Sequence, residues 1–135
     1  MRARSRRAAI ASTLTAAVLA LAVVVLAPAP AAAHAVLVKS VPARRATLAR
    51  APDRVQLWFN ERLEPAFSSV SLWDAANRRV ETPDGAVSAE DPRRLELPLA
   101  ALAPGRYLIR FRVLSVDGHV VESSIPFTVK PDASR

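Results

Sequence analysis

Apolar and polar residues alternate along three segments of the chain, and this period of two restricts the possible folds more than any other feature. The segments cover residues 55–59, 107–113 and 125–129, and in each of them every second residue is a large apolar one. Successive side chains of a β-strand point to opposite faces of its sheet, so each segment predicts a strand with one buried face. Four shorter segments, at 36–39, 69–73, 79–81 and 94–97, are weaker strand candidates.

Turn-forming residues separate the predicted strands, and no stretch after residue 33 shows convincing helical periodicity. The turns contain proline, glycine, asparagine or aspartate, as in Pro52-Asp53, Pro83-Asp84-Gly85, Asp91-Pro92 and Pro104-Gly105. About seven short strands within roughly 100 residues are typical of an all-β domain. We therefore predict a small immunoglobulin-like Greek-key sandwich or barrel.

The first 33 residues have the three-part organisation of a secretory signal peptide. Four arginines precede an apolar run over residues 8–27, and Ala31-Ala32-Ala33 ends the segment. The small residues form the A-x-A pattern that signal peptidase cleaves, which places the cut before His34. The alternative is an uncleaved membrane anchor, because about 20 apolar residues are roughly a bilayer span. Cleavage is favoured, so we predict a signal peptide at 1–33, which engages the membrane only before its removal.

The remaining domain, residues 34–135, is then exported to the periplasm or cell envelope, and composition limits what it can do there. The absence of cysteine excludes a disulfide scaffold, a thiolate zinc site and a cysteine nucleophile. The formal net charge is +7, but four of the 19 basic residues belong to the signal peptide. The small positive excess that remains gives little reason to expect nucleic-acid binding. Phosphate-binding loops, serine-hydrolase elbows and zinc-protease motifs are absent from the sequence.

His34 is the first candidate ligand for a metal, because cleavage would make it the N-terminal residue. Its free α-amine and its ring Nδ1 can then chelate one ion in a six-membered ring. Nitrogen donors of this kind suit Cu(II), which heads the affinity order of the divalent metals. The alternative is an ordinary exposed histidine beside a cleavage site.

Asp117 and His119 form the second candidate, after the strand predicted at 107–113. Residues two apart in an extended chain point to the same face, so this carboxylate and imidazole can complete a site that His34 begins. The alternative is a solvated hairpin turn, because Asp-Gly is a common turn pair. His34 and His119 are the only histidines in the chain, which favours a shared site.

Glu61 is the third candidate and directly follows the strand predicted at 55–59. Its carboxylate can be a weak oxygen ligand or can accept the N–H of a ligating imidazole. It can equally be a surface carboxylate that pairs with Arg62 or with another arginine, and the residues alone slightly favour that role.

Taken in order, several motifs resemble the CopC/PcoC-type exported copper-resistance proteins, over nearly all of residues 34–130. The matching segments are His34-Ala35-Val36-Leu37, Ser40-Val41-Pro42-Ala43, Val55-Gln56-Leu57-Trp58-Phe59-Asn60-Glu61, Pro104-Gly105-Arg106-Tyr107, Arg112-Val113-Leu114-Ser115-Val116-Asp117-Gly118-His119 and Ile125-Pro126-Phe127-Thr128-Val129. The resemblance implies a Greek-key β-fold that binds one Cu(II) ion at one end. It also implies that His34 ligates through its amine and ring together with Asp117 and His119, and that Glu61 is the acidic residue near the copper.

The sequence departs from part of this family in its methionine content. Some members have a methionine-rich Cu(I) loop, whereas the only methionine here is Met1. Cu(I) prefers soft sulfur donors, so we predict a Cu(II)-only member.

The favoured hypothesis is a non-enzymatic Cu(II)-binding protein for copper resistance or homeostasis. It would sequester copper or deliver it to a membrane copper transporter. Two alternatives stay open: a small copper redox enzyme of the N-terminal-histidine type, and a metal-free envelope adhesion module.

Overall fold

The structure, a computed structural model, describes residues 34–132. This part of the chain contains eight β-strands and one short 3-10 helix. The strands are β1 (Leu37–Val41), β2 (Thr47–Leu48), β3 (Arg54–Phe59), β4 (Ser69–Asp74), β5 (Ala86–Val87), β6 (Arg94–Pro98), β7 (Gly105–Leu114) and β8 (Val120–Val129). The 3-10 helix is Pro65–Phe67. The predicted signal peptide lies outside the described residues. Within those residues, no helix has the length and apolar character needed to cross a membrane.

The strands form two four-stranded sheets with the orders β1-β3-β6-β5 and β2-β8-β7-β4. Strand pairing is antiparallel except between β2 and β8, which run parallel. The first sheet begins with β1 paired to β3 and ends with the two-residue strand β5. This arrangement confirms the predicted all-β sandwich.

The period of two seen in the sequence places the core between the two sheets. Along β3, the buried residues are Val55, Leu57 and Phe59, and their neighbours in sequence are exposed or half-buried. On β7, Ile109 and Val113 are fully buried in the same way. Burial of each large apolar side chain contributes about 1.5–3 kcal/mol, so these inner faces supply most of the stabilisation.

Six of the seven predicted strands are present, and one prediction is wrong. Residues 79–81 do not form a strand; Arg79 makes only an isolated bridge to Trp73. The physical reason lies in the preceding turn, where the Asp74 carboxylate accepts the backbone N–H groups of Ala76 and Arg78 and Asn77 has a positive φ of 60°. The two-residue strands β2 and β5 were not predicted.

The topology brings three chain segments to one end of the sandwich. Leu37 at the start of β1 pairs with Phe59 at the end of β3, and Leu114 at the end of β7 pairs with Val120 at the start of β8. Between the sheets, the Val116 N–H donates to the Arg62 carbonyl at 3.0 Å. The residues that precede β1, the residues that follow β3 and the β7–β8 hairpin therefore meet at this end.

Candidate metal centre

The five-residue hairpin from Ser115 to His119 holds two of the predicted ligands. The Ser115 N–H donates to the His119 carbonyl at 3.0 Å, and the Gly118 N–H donates to the Ser115 carbonyl at 2.9 Å. Gly118 has a φ of 92°, a conformation that glycine adopts without steric cost. The segment is therefore a tight turn and not the extended chain that the two-residue spacing assumes, and the turn itself brings Asp117 and His119 together.

Both carboxylate oxygens of Asp117 have a close polar neighbour, and Oδ1 accepts two hydrogen bonds. Its Oδ1 accepts the Ser115 hydroxyl and, at 3.2 Å, the backbone N–H of His119, while its Oδ2 lies 3.1 Å from His119 Nδ1. The Ser115 hydrogen bond is the main cause that lowers the pKa of Asp117 below its ordinary value of 3.8, and partial burial opposes it. The carboxylate is therefore ionised at neutral pH and available to a cation or to an N–H donor.

His34 lies against His119 at this same end. The centroids of the two imidazole rings are 4.5 Å apart, and the ring planes are at 82° to each other. The next two residues fix this position: Ala35 is buried in the core, and the Val36 N–H donates to the Asn60 side chain at 2.6 Å. Asn60 returns a backbone hydrogen bond to the Val36 carbonyl at 3.0 Å. The structure thus brings together three of the four predicted residues, His34, Asp117 and His119.

Glu61 is half-buried and follows Asn60 at this end of the molecule. In the described part of the chain, its carboxylate makes no hydrogen bond or ion pair with another residue. No three His, Cys, Asp or Glu side chains among residues 34–132 are arranged so that they could hold a metal ion. Side chains alone therefore do not make a complete ligand set here, and a further donor, such as the α-amine of a cleaved His34, would be needed.

The two tryptophans, which the sequence leaves unassigned, each lie beside a cation rather than beside these histidines. Lys39 Nζ lies 4.7 Å from the centre of the Trp58 ring, and Arg110 lies 4.3 Å from that of Trp73. The roles of Ser115 and Asn60 are not predictable from the sequence, because each acts through a hydrogen bond that only the folded chain reveals.

Comparison with known proteins identifies the family. A family model described as the CopC domain matches residues 37–130. This chain belongs to the CopC family. A similar protein, copper resistance protein C from Pseudomonas syringae pv. tomato, is 35% identical over 104 residues, which cover 73% of this chain and 82% of that protein.

A solved CopC structure and a longer relative extend the comparison. The crystal structure of CopC from Methylosinus trichosporium OB3b has a TM-score of 0.70 and 39% identity, covering 76% of this chain and 99% of that one. The copper transport protein CutJ from Bacillus subtilis (strain 168) is 31% identical over 98 residues, which are 72% of this chain but only 18% of CutJ. The CopC-like region is thus nearly the whole of one relative and a small part of the other.

Proposed function

We propose that this CopC-family protein is a copper-binding protein that serves copper resistance, with one Cu(II) ion held at the His34 end of the sandwich. The observation that carries the proposal is the contact between the only two histidine rings of the chain. CopC-family relatives named for copper resistance and copper transport support the identity of the metal.

The proposed ligand set consists of nitrogen and oxygen donors. His34 contributes its α-amine and its ring, and His119 contributes its second imidazole. Asp117, whose carboxylate is beside His119, adds an oxygen donor, and Glu61 is the further acidic residue at this end. Such donors favour Cu(II) among divalent ions, while the soft sulfur donors that Cu(I) prefers are absent after residue 33.

We propose a carrier rather than an enzyme. The relatives described above are named for copper resistance or transport, and they give no support to a redox enzyme or to a metal-free adhesion module. Binding and release of one ion require only ligands at an accessible end of the fold, and the side chain of His119 is 46% exposed.

The proposal includes export and a membrane partner. The basic and apolar segment at 1–33 supports delivery to the periplasm or cell envelope, where signal-peptide removal frees the His34 amine. In CutJ, a CopC-like region is part of a much longer copper transport protein. We propose a separate membrane copper transporter as the acceptor for the present chain.

The first test is the intact mass of the exported protein under native and denaturing conditions. We expect a chain that begins at His34 and a native mass that is larger by one copper ion. Retention of residues 1–33, or a protein that never takes up copper, would count against the proposal.

The second test is a competition titration of the exported protein with Cu(II), Zn(II) and Cu(I). We expect the tightest binding for Cu(II), a large loss of affinity in His119→Ala, and only a small loss in Glu61→Ala. Tighter binding of Cu(I) than of Cu(II), or no response to His119→Ala, would show that the site is misassigned.

A further inference from the structure

Asn60, just after β3, is bonded twice to the segment that carries His34. Its side-chain Oδ1 accepts the Val36 N–H at 2.6 Å, and its backbone N–H donates to the Val36 carbonyl at 3.0 Å. The side chain of Val36 is 55% exposed, so hydrogen bonds rather than burial hold this residue. Ala35, which lies between His34 and Val36, is buried and anchors the same segment to the core.

The side chain of Asn60 takes the place that a backbone carbonyl has in a regular antiparallel ladder. Leu37 pairs with Phe59, so Val36 and Asn60 are the next pair along the two segments. The Phe59 N–H donates away from β1, to the Arg93 carbonyl beside β6, so the backbone of Asn60 faces β1. Such a pair normally exchanges two backbone hydrogen bonds. Here one of the two is made by Asn60 Oδ1 instead.

This replacement allows the chain after Asn60 to turn away from β1 while the bond to Val36 is kept. Asn60 lies in a bend, and the chain then crosses to the β7–β8 hairpin, where the Arg62 carbonyl accepts the Val116 N–H at 3.0 Å. The residues on either side of this bend therefore contact both the segment of His34 and the hairpin of His119.

We propose that Asn60 is a positioning residue of the copper site: its side chain holds the residues before β1 so that His34 lies against His119. The inference rests on the proposed binding of Cu(II) by these two histidines, whose ring centroids are 4.5 Å apart. Asn60 provides no ligand itself and acts through the backbone of Val36. The donors of His34 are thereby held in place before the ion binds, which reduces the entropy cost of binding.

The experiment compares Asn60→Ala, which removes the acceptor, with Asn60→Asp, which keeps an oxygen in the same place. Asn77→Ala is the matched control, because Asn77 Oδ1 also accepts a hydrogen bond, from Arg110 at 2.6 Å, but lies in the turn after β4. That turn adjoins the start of β7, whereas the candidate metal centre follows its end. Arg62→Gln controls for charge, because it makes the local charge more negative by one, as Asn60→Asp does.

Two measurements on the metal-free exported protein report the position of His34 directly. Asn60→Ala should speed hydrogen exchange of the Val36 amide and weaken the nuclear Overhauser effect between the His34 and His119 rings. Its Cu(II) affinity, measured by competition, should fall about 3- to 10-fold. Loss of one hydrogen bond lowers the fraction of molecules with His34 in place, and the apparent affinity falls with that fraction.

The conservative variant and the controls should behave differently. Asn60→Asp should keep the slow exchange of the Val36 amide and the contact between the rings. Any change in its Cu(II) affinity should match that of Arg62→Gln, since both variants alter the charge equally. Asn77→Ala should leave all three measurements unchanged even if it lowers the melting temperature.

The wild type alone tests the inference if Asn60→Ala fails to fold. In the metal-free wild type, exchange of the Val36 amide as fast as in an unfolded chain would overturn it. In a folded Asn60→Ala, unchanged exchange, an unchanged ring contact or wild-type Cu(II) affinity would refute the positioning role while copper binding itself remained supported. Failure of the wild type to bind Cu(II) would instead refute the proposed function and leave the measured position of His34 standing.

Discussion

His34 differs from the other proposed ligands because its donor groups depend on where the chain is cut. Only as the first residue does it offer a free amine beside its imidazole, and an amide nitrogen in the same place is a far poorer donor. The backbone of Val36 is paired with Asn60, which keeps the neighbouring His34 at the site.

One added residue before His34 should therefore lower Cu(II) affinity by orders of magnitude. The fold should survive, because His34 precedes β1 and belongs to no strand. A competition titration of the extended and authentic chains, with circular dichroism for folding, measures both effects. A residue added after Arg135 is the control and should leave affinity unchanged. Equal affinity of the N-terminally extended and authentic chains would refute the amine chelate.

Asp74 should affect the stability of the fold in acid rather than the binding of copper. The backbone N–H of Arg78 is the main cause that lowers the pKa of Asp74 below its ordinary 3.8, and the Arg78 guanidinium adds to it. A depressed folded-state pKa stabilises the fold above the unfolded value, and this contribution is lost as pH falls through the folded value. Asp74→Asn should therefore be less stable than wild type at pH 7, with a difference that shrinks below pH 3.8.

Urea unfolding at a series of pH values from 7 downward measures this difference. Asp91→Asn is the control for loss of a negative charge, because the Asp91 carboxylate accepts the backbone N–H of Arg93. A constant difference between wild type and Asp74→Asn across the whole series would contradict the prediction.

The sequence predicts only those residues of the candidate site whose side-chain type is itself a metal donor. His34, Asp117 and His119 can be singled out because imidazoles and a carboxylate are metal donors wherever they lie. The buried hydroxyl of Ser115 cannot, since its partner depends on how the β7–β8 hairpin closes. Glu61 illustrates a second limit, because a carboxylate after a strand has many possible partners and its position depends on the packing of neighbouring segments.

Strands are predictable from the sequence where apolar and polar residues alternate over enough positions to outweigh local turn preferences. The inner faces of β3 and β7 follow from their sequences, since a shift of one residue would expose every apolar side chain. The two-residue strands β2 and β5 have no such pattern and form only because β8 and β6 offer an edge to pair with. Before residues 79–81, the turn is fixed by hydrogen bonds to the Asp74 side chain, and the weak strand pattern of these three residues is not enough to form a strand.

The two ends of β7 differ in role: a contact near its start stabilises the fold, and its end leads into the candidate metal site. Near its start, the Tyr107 hydroxyl donates to the Ala103 carbonyl at 2.7 Å, a contact resembling the tyrosine corner of Greek-key sandwiches. Leu114, at the end of the strand that leads into the candidate site, is seven residues further on. At about 3.3 Å per residue, the two ends lie roughly 23 Å apart.

Tyr107→Phe should therefore destabilise the fold without changing Cu(II) affinity. Loss of one hydrogen bond costs about 1 kcal/mol, which lowers the melting temperature of a domain this size by about 4–8 °C. Differential scanning calorimetry and a copper titration measure the two effects, with the exposed neighbour variant Arg106→Gln as control. An unchanged melting temperature in Tyr107→Phe, or a weakened copper affinity, would show that this separation does not exist.

The core of the molecule and its candidate metal site occupy different parts of the fold. The buried apolar residues of both sheets lie between the sheets, while the side chains of His119 and Asp117 are partly exposed at the end. Loss of copper should consequently leave the fold intact. Bound copper should still add stability, because any ligand that binds only the folded state shifts the unfolding equilibrium.

Cu(II) should raise the melting temperature of the exported protein, and reduction of the copper should remove most of that rise. At a free concentration of 100 times the Kd, binding contributes about 2.7 kcal/mol, which corresponds to a shift on the order of 10 °C. Reduction to Cu(I) leaves an ion that prefers sulfur donors, and residues 34–135 contain neither cysteine nor methionine. Thermal unfolding with Cu(II), with Cu(II) plus ascorbate, and with Zn(II) tests this, using the chain with one residue added before His34 as the control that should show little shift. A rise that persists or grows after reduction would contradict a Cu(II) site.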